Sequence, residues 1–205
     1  KLLEPYVDFD LSTAQDYDPQ YGVYTSFRAP LYPAFLALIY SISGLDFSRF
    51  FAARLAQAIF LGAPLAPLTY LIAKRFFATP EESTHETTAR LSAWIVAAYP
   101  MLLVYPLGLG TENLFFVLVL SAFLFILKTI DSPTPLNYIC TGAFLALATL
   151  TRSIIPPFAG LVMLYLFYLH RTKALTAAVV FAFIISPWIF RNTLLHGKLT
   201  GIETS

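Results

Sequence analysis

The stretch SPTPLNYICTGAFLALATLT, residues 132–151, places 20 uncharged residues between Asp131 and Arg152. A helix needs about 20 apolar residues to cross a bilayer, within a usual range of roughly 17–25. The stretch shows no sustained period-two alternation, which favours a helix over a barrel strand. Similar stretches lie on both sides: 19 uncharged residues between Arg54 and Lys74, 21 between Arg90 and Glu112, and 15 between Glu112 and Lys128. Two of 17 follow, Ser153 to Leu169 and Ala174 to Phe190. Phe, Leu, Ile and Ala dominate throughout. The fold class expected is therefore all-α, a polytopic transmembrane bundle of six spanning helices.

Composition points the same way. Of the 205 residues 58% are hydrophobic and 12% charged, against about 45–50% and 25% in soluble domains. A soluble, disordered or collagen-like chain is excluded. The net charge of +1 and the lack of any long basic run make no case for nucleic acid. The lone Cys140 excludes an internal disulfide and a cysteine-based zinc site, and reads as a small apolar filler. No N-glycosylation sequon follows Asn113, Asn137 or Asn192. The chain opens at Lys1 without a signal peptide and reads as a fragment.

Between Ala29 and Leu45, Pro30 and Pro33 delay helix onset and Gly44 ends it, leaving a helix from Leu31 to Ser43. At 1.5 Å per residue it reaches roughly 20 Å, short of a hydrocarbon core about 30 Å thick. It could lie in the interface or enter halfway. Six spans gather the loops bearing Lys74, Arg75, Arg90, Lys128, Arg171 and Lys173 on one face, cytoplasmic by the positive-inside rule. The turns near Gly108 and Pro156, and Lys198, fall on the opposite, external face. Residues 1–30, with five acids and four tyrosines, read as an external polar loop. Residues 31–192 read as the transmembrane helical domain and 193–205 as the start of an external segment. TPEESTHETT, residues 79–88, reads as a cytoplasmic loop that caps the next helix.

Glu112, Arg152 and Arg191 are costly within a span, by roughly 2.5–3.5 kcal/mol on insertion scales. Each could snorkel to the headgroups. Alternatively they share an external cavity of one acid and two guanidiniums, suited to an anionic lipid head. The second reading is favoured because Arg152 and Arg191 both sit in proline-broken helix ends, and non-helical backbone at membrane depth lines cavities. Asp8-Phe-Asp10 and Asp16-Tyr-Asp18 have the D-x-D form that holds a divalent metal in many sugar transferases, but that spacing is common by chance in an acidic loop, and a solvated loop is the expected reading. The three histidines fall on different faces and form no single site. Tyr165, Phe167 and Tyr168 read as lipid-facing or packing surface.

Arg28-Ala-Pro-Leu-Tyr-Pro33 resembles the R-P-P-x-Y-P segment of polytopic lipid-phosphate-sugar glycosyltransferases. Four further segments keep that family's order: Arg49-Phe-Phe-Ala-Ala-Arg-Leu, Ala98-Tyr-Pro100 leading to Gly110-Thr-Glu-Asn-Leu, Ala146-Leu-Ala-Thr-Leu-Thr-Arg152, and Ser186-Pro-Trp-Ile-Phe-Arg-Asn192. Together they make residues 28–192 similar to the GT-C superfamily, which includes protein O-mannosyltransferases, aminoarabinose transferases of lipid A and the RgtA/B/C/D-like family. The resemblance implies transfer of a sugar from a polyprenyl-phosphate donor to a glycan, lipid or protein acceptor. Transfer would occur with inversion at the external face of a plasma or inner membrane, with no nucleic acid involved. It implies that Arg28 lies near the donor phosphate, that Glu112 matches an acid at the external start of a helix and that Arg152 matches a family arginine that usually precedes proline. With Arg28, the guanidiniums of Arg152 and Arg191 are the expected donor-phosphate groups on their own chemistry. Ala29 and Ser153 replace family prolines. The family's principal loop carboxylate follows a first helix that would precede Lys1, leaving Asp8 and Asp10 as fallback candidates and the fragment inactive alone. The resemblance also keeps Arg28 outside, so that Leu31–Ser43 is a juxtamembrane half-helix. From other classes, a transporter or flippase for a lipid-linked anion, or a non-catalytic membrane subunit, would use the same residues without chemistry.

Overall fold

The computed structural model describes residues 17–18, 22–23, 28–44, 46–77 and 82–202. It is helical apart from a two-residue antiparallel pairing of β1, Tyr17–Asp18, with β2, Gly22–Val23. Asp8 and Asp10 lie outside the described residues. The first helix, α1, is Leu31–Ser43. Pro30 stands at its N-terminal boundary, and Gly44 closes it at φ 81°, a left-handed backbone that glycine adopts without strain. The sequence bounds and the structural bounds coincide.

The next helix is continuous over 29 residues, Ser48–Phe76. It comprises α2, Ser48–Ala56, a π-helical segment, Gln57–Gly62, and α3, Leu65–Phe76. Then come α4, Glu82–Ala98, and the short α5, Pro100–Val104, bent by 57° from α4. Pro100 opens α5 and holds Tyr99 extended, which is the cause of the bend. The expected loop at 79–88 is corrected here: α4 already starts at Glu82, because Glu86 is fixed by Lys74 at 3.1 Å and Arg90 at 2.8 Å, drawing this polar turn into the helix.

α6, Glu112–Asp131, and α7, Pro135–Thr149, form a hairpin. The Thr134 hydroxyl accepts from the Asn137 amide at the start of α7, and Asn137 Nδ2 donates to the carbonyls of Lys128 and Ser132. Deeper in, Thr129 and Thr141 share a buried hydroxyl–hydroxyl hydrogen bond of 3.0 Å. α8, Pro156–His170, leads through a 3-10 turn at Arg171–Ala174 into α9, Leu175–His196.

As one helical run Pro156–His196 would be 41 residues, about 62 Å if straight. The packing excludes a straight rod. Tyr138, early in α7, meets His170 edge-on at 5.9 Å, and Gly142 lies against Ala177. Leu150, at the far end of α7, clusters with Ile184, Ile185 and Trp188. α9 therefore runs parallel to α7, and α8 doubles back between them. Arg171, at φ 54°, makes the reversal.

Among the described residues three helices are long and apolar enough to cross a membrane, or four if the bent α4–α5 pair is one span. Burial is inverted relative to a soluble protein. Trp94, Ile95, Leu161, Leu164 and Phe183 are exposed, whereas Gln57, Asn113, Thr129, Thr141, Thr149 and Asn192 are buried to 1% exposure or less. Tyr165, Phe167 and Tyr168 face outward as well. An apolar exterior around polar contacts between helices is the pattern that lipid selects.

The charges separate to the two ends of the bundle. Lys74, Glu86 and Arg90 form one cluster, and Arg75 pairs with Asp131 at 2.8 Å, joining α3, α4 and α6 at what we call the basic end. At the opposite end Glu112 pairs with Arg152. The Ser48–Phe76 helix spans both ends and continues beyond: Arg75 is at the basic end, while Gln57 already reaches the 106–108 turn before α6. α2 is the overhang, and α1 packs along it through Tyr40 on Phe50, with the Arg49 guanidinium over both rings.

Candidate functional site

At the end opposite the basic cluster the backbone leaves its helix between Leu150 and Ile155. The Leu31 amide donates to the Leu150 carbonyl at 3.0 Å, which ties the start of α1 to the end of α7. Between them opens a cavity of about 520 Å³. Arg28, Tyr32 and Pro33 line one side, Thr151, Arg152 and Ser153 the other, and Thr111 the edge beside α6.

Arg152 Nη2 donates to Glu112 Oε1 at 2.7 Å, and its guanidinium lies 5.3 Å from the Phe115 ring centre. Both partners remain partly exposed, at 44% and 32% of their side chains, so the pair can open to another anion. Gly110 gives the carboxylate its place, since a side chain there would run into Glu112 Oε2. The next residue, Asn113, is 1% exposed and leaves both amide atoms without a partner.

The wall behind Tyr32 is held by Gln57. This side chain is fully buried; its Nε2 donates to the carbonyls of Pro106 at 3.1 Å and Gly108 at 2.9 Å. Its Oε1 accepts from the Tyr32 hydroxyl at 2.8 Å. One amide thus joins α1, the π segment and the turn that delivers Glu112. Burial, then the charges of Tyr40 and Glu112, push the Tyr32 phenol up to about 12, so it remains a neutral donor in any physiological medium.

Of the three arginines expected at a shared site, Arg28 and Arg152 line the cavity and Arg191 does not. Arg191 stacks on Trp188 at 4.6 Å and donates to Asn192 Oδ1 at 3.0 Å. Nor does it sit in a proline-broken helix end, which corrects the sequence expectation: Pro187 lies inside α9, which runs on to His196. The missing amide of Pro187 leaves the Phe183 carbonyl free of its helical donor, and Ser186 Oγ donates to it instead at 3.0 Å. Trp188 Nε1 and Asn192 Nδ2 then bind the carbonyl of Ile202, folding the chain after α9 back over Ala29 and Leu150. Sequence reasoning missed Tyr32 and Gln57. The available signal was one glutamine in an otherwise apolar run.

Among the described residues no group of three or more His, Cys, Asp or Glu could hold a metal ion. No known protein family, curated protein or solved structure matches the chain. What the cavity offers chemically is two guanidiniums, Arg28 and Arg152, the second of them paired to the neighbouring Glu112 carboxylate, which leaves a net positive pocket for an anion.

Proposed function

We propose that this chain is part of a membrane glycosyltransferase that transfers a sugar from a polyprenyl-phosphate donor. The observation that carries this reading is the convergence of Arg28 and Arg152, distant in sequence, on one cavity with Glu112 paired to Arg152. A polyprenyl phosphate is an activated leaving group. Inverting transfer needs cations where the phosphate departs and a base for the acceptor hydroxyl. Arg28 and Arg152 supply the first at the boundary of the apolar bundle, where the lipid chain stays in the bilayer. Glu112 takes the acceptor proton or orients the acceptor. The acceptor is a glycan, lipid or protein.

In this reading α3, α4–α5, α6, α7, α8 and α9 are six passes between the same two ends, with the basic end cytoplasmic and the cavity external in a plasma or inner membrane. The 15-residue α7 and α8 are short for a span and sit inside the bundle's lysine- and arginine-bearing ends, which reach outward by snorkelling. A cysteine replacing Lys128 is then expected to resist an impermeant thiol reagent added outside intact cells, and one replacing Lys198 to react. The reverse pattern would invert the orientation.

The functional test is transfer by the full-length protein in liposomes with purified lipid-linked sugar. Arg28→Gln is expected to lower transfer about tenfold, the worth of one charge-assisted hydrogen bond, with protein level and melting unchanged. Donor that crosses the bilayer without any transfer would establish a flippase instead, and unchanged transfer in Arg28→Gln would remove this residue from the donor site.

A further inference from the structure

A second cleft, of about 240 Å³, lies at the basic end, far from the cavity above. Its walls are Pro133 and Pro135 at the start of α7, Tyr138 one turn on, and Lys173 and Thr176 at the start of α9. We propose that this cleft binds a phosphate group, supplied by an anionic lipid headgroup or by free phosphate.

Three independent features meet there. α7 and α9 run parallel, so both aim the positive ends of their dipoles at the same cleft. Neither helix has an acid in its first turn, and no side chain caps α9. Lys173 is exposed and makes no ion pair among the described residues. Asp131, two residues before Pro133, does not neutralise it, being taken up by Arg75 at 2.8 Å. Finally, Tyr138 is 2% exposed and its hydroxyl has no partner; the Nδ1 atom of His170, whose ring packs on it, also has none. A buried hydroxyl left unpaired costs about 1–3 kcal/mol. This one is closed off from solvent, and a phosphate that enters the cleft beside Tyr138 gives it an acceptor once the ring turns its hydroxyl to the anion. The ammonium of Lys173 gives the same anion its counter-charge, as a point charge rather than a fork. The two prolines fix the wall in place before the ligand arrives, so little ordering is needed on binding.

The test uses the full chain in phosphatidylcholine nanodiscs, with thermal unfolding followed in two arms. One arm titrates inorganic phosphate against chloride at equal ionic strength, and the other replaces part of the lipid by phosphatidylglycerol. Wild type is expected to show a saturable rise in Tm. Lys173→Gln should move the midpoint of that rise about tenfold toward higher ligand. Tyr138→Phe should move it several-fold while raising the Tm without anion, because the substitution removes a buried hydroxyl that has no partner. Arg28→Gln serves as the control: any phosphate binding at the opposite cavity is weakened there, and the Lys173-dependent component must survive unshifted. A response in the phosphate arm identifies a soluble anion, and one confined to phosphatidylglycerol identifies a headgroup. Curves for Lys173→Gln and Tyr138→Phe that superimpose on wild type in both arms overturn the proposal, as does a flat wild-type response.

Discussion

Arg152→Gln in the full-length protein is expected to lower sugar transfer by about 2–3 kcal/mol, on the order of a hundredfold, with folding retained. Two losses combine. The departing phosphate loses a bidentate donor, and Glu112 loses the guanidinium that holds it at 2.7 Å. Arg152→Lys should recover only part of the rate, because an ammonium cannot present the planar fork. The double variant with Glu112→Gln separates the roles of the acid. If Glu112 only positions Arg152, the double variant turns over like Arg152→Gln alone. If Glu112 is the base, a further large loss appears. Arg191→Gln is the internal comparison, because Arg191 stacks on Trp188 outside the cavity. Wild-type turnover in Arg152→Gln would leave Arg152 as a snorkelling cation and end the proposed donor site.

The second large effect is on stability. Gly142→Ala is expected to destabilise the protein by about 3 kcal/mol, the upper part of the usual range for overpacking. The added Cβ would overlap the Ala177 carbonyl oxygen, with the Ala177 C and Cα atoms at 3.1 Å. These are backbone atoms of α9, so no rotamer change relieves the clash and the two helices must part. Close approach at small residues is how helices associate in lipid, where no hydrophobic drive remains between them. Gly160→Ala is the matched control: a Cβ there meets nothing within 4 Å, and the alanine should be neutral or stabilise α8 by up to about 1 kcal/mol. The measurement is the unfolding midpoint of each variant in the same detergent. Equal midpoints for the two variants would mean that α7 and α9 are not in contact.

How much of this was legible in the sequence depended on whether the signal was local. The bounds of α1 could be read because Pro30 and Gly44 act on their own neighbours. Glu112 marked the start of α6 because charge stops an apolar run wherever it stands, whereas the helix continues past Lys128 to Asp131. The charged residues that bound the uncharged stretches do gather at two ends, Lys74, Arg75, Glu86, Arg90 and Asp131 at one and Glu112 with Arg152 at the other. Pro187 misled because its remedy, the Ser186 hydroxyl on the Phe183 carbonyl, depends on a side-chain choice that a breaker rule ignores. From Glu82 on, the stretch expected as a loop is helix through the contact of Glu86 with Lys74, which belongs to another helix, while residues 79–81 lie outside the described residues. Gln57 was illegible for the same reason: its partners lie 25, 49 and 51 residues away. For the site, residue types were legible, but which arginines meet was not. Arg28 and Arg152 are joined by the Leu31–Leu150 hydrogen bond, while Arg191 is turned to Trp188 by the helical register after Pro187.

The π segment at Gln57–Gly62 fits one more residue into the helix than α geometry would over the same rise. Each residue in an α-helix turns the chain by about 100°. The wider turn therefore acts as a phase-setter between α3 and the overhanging α2. A single-residue deletion there would keep every helix intact yet swing α2, and α1 with it, around the axis. Tyr32 would leave Gln57, and Arg28 would leave the rim facing Arg152. The assembly of the cavity is thus governed by a whole-number count of residues, so an insertion or deletion of one at this point is felt as rotation, not as length.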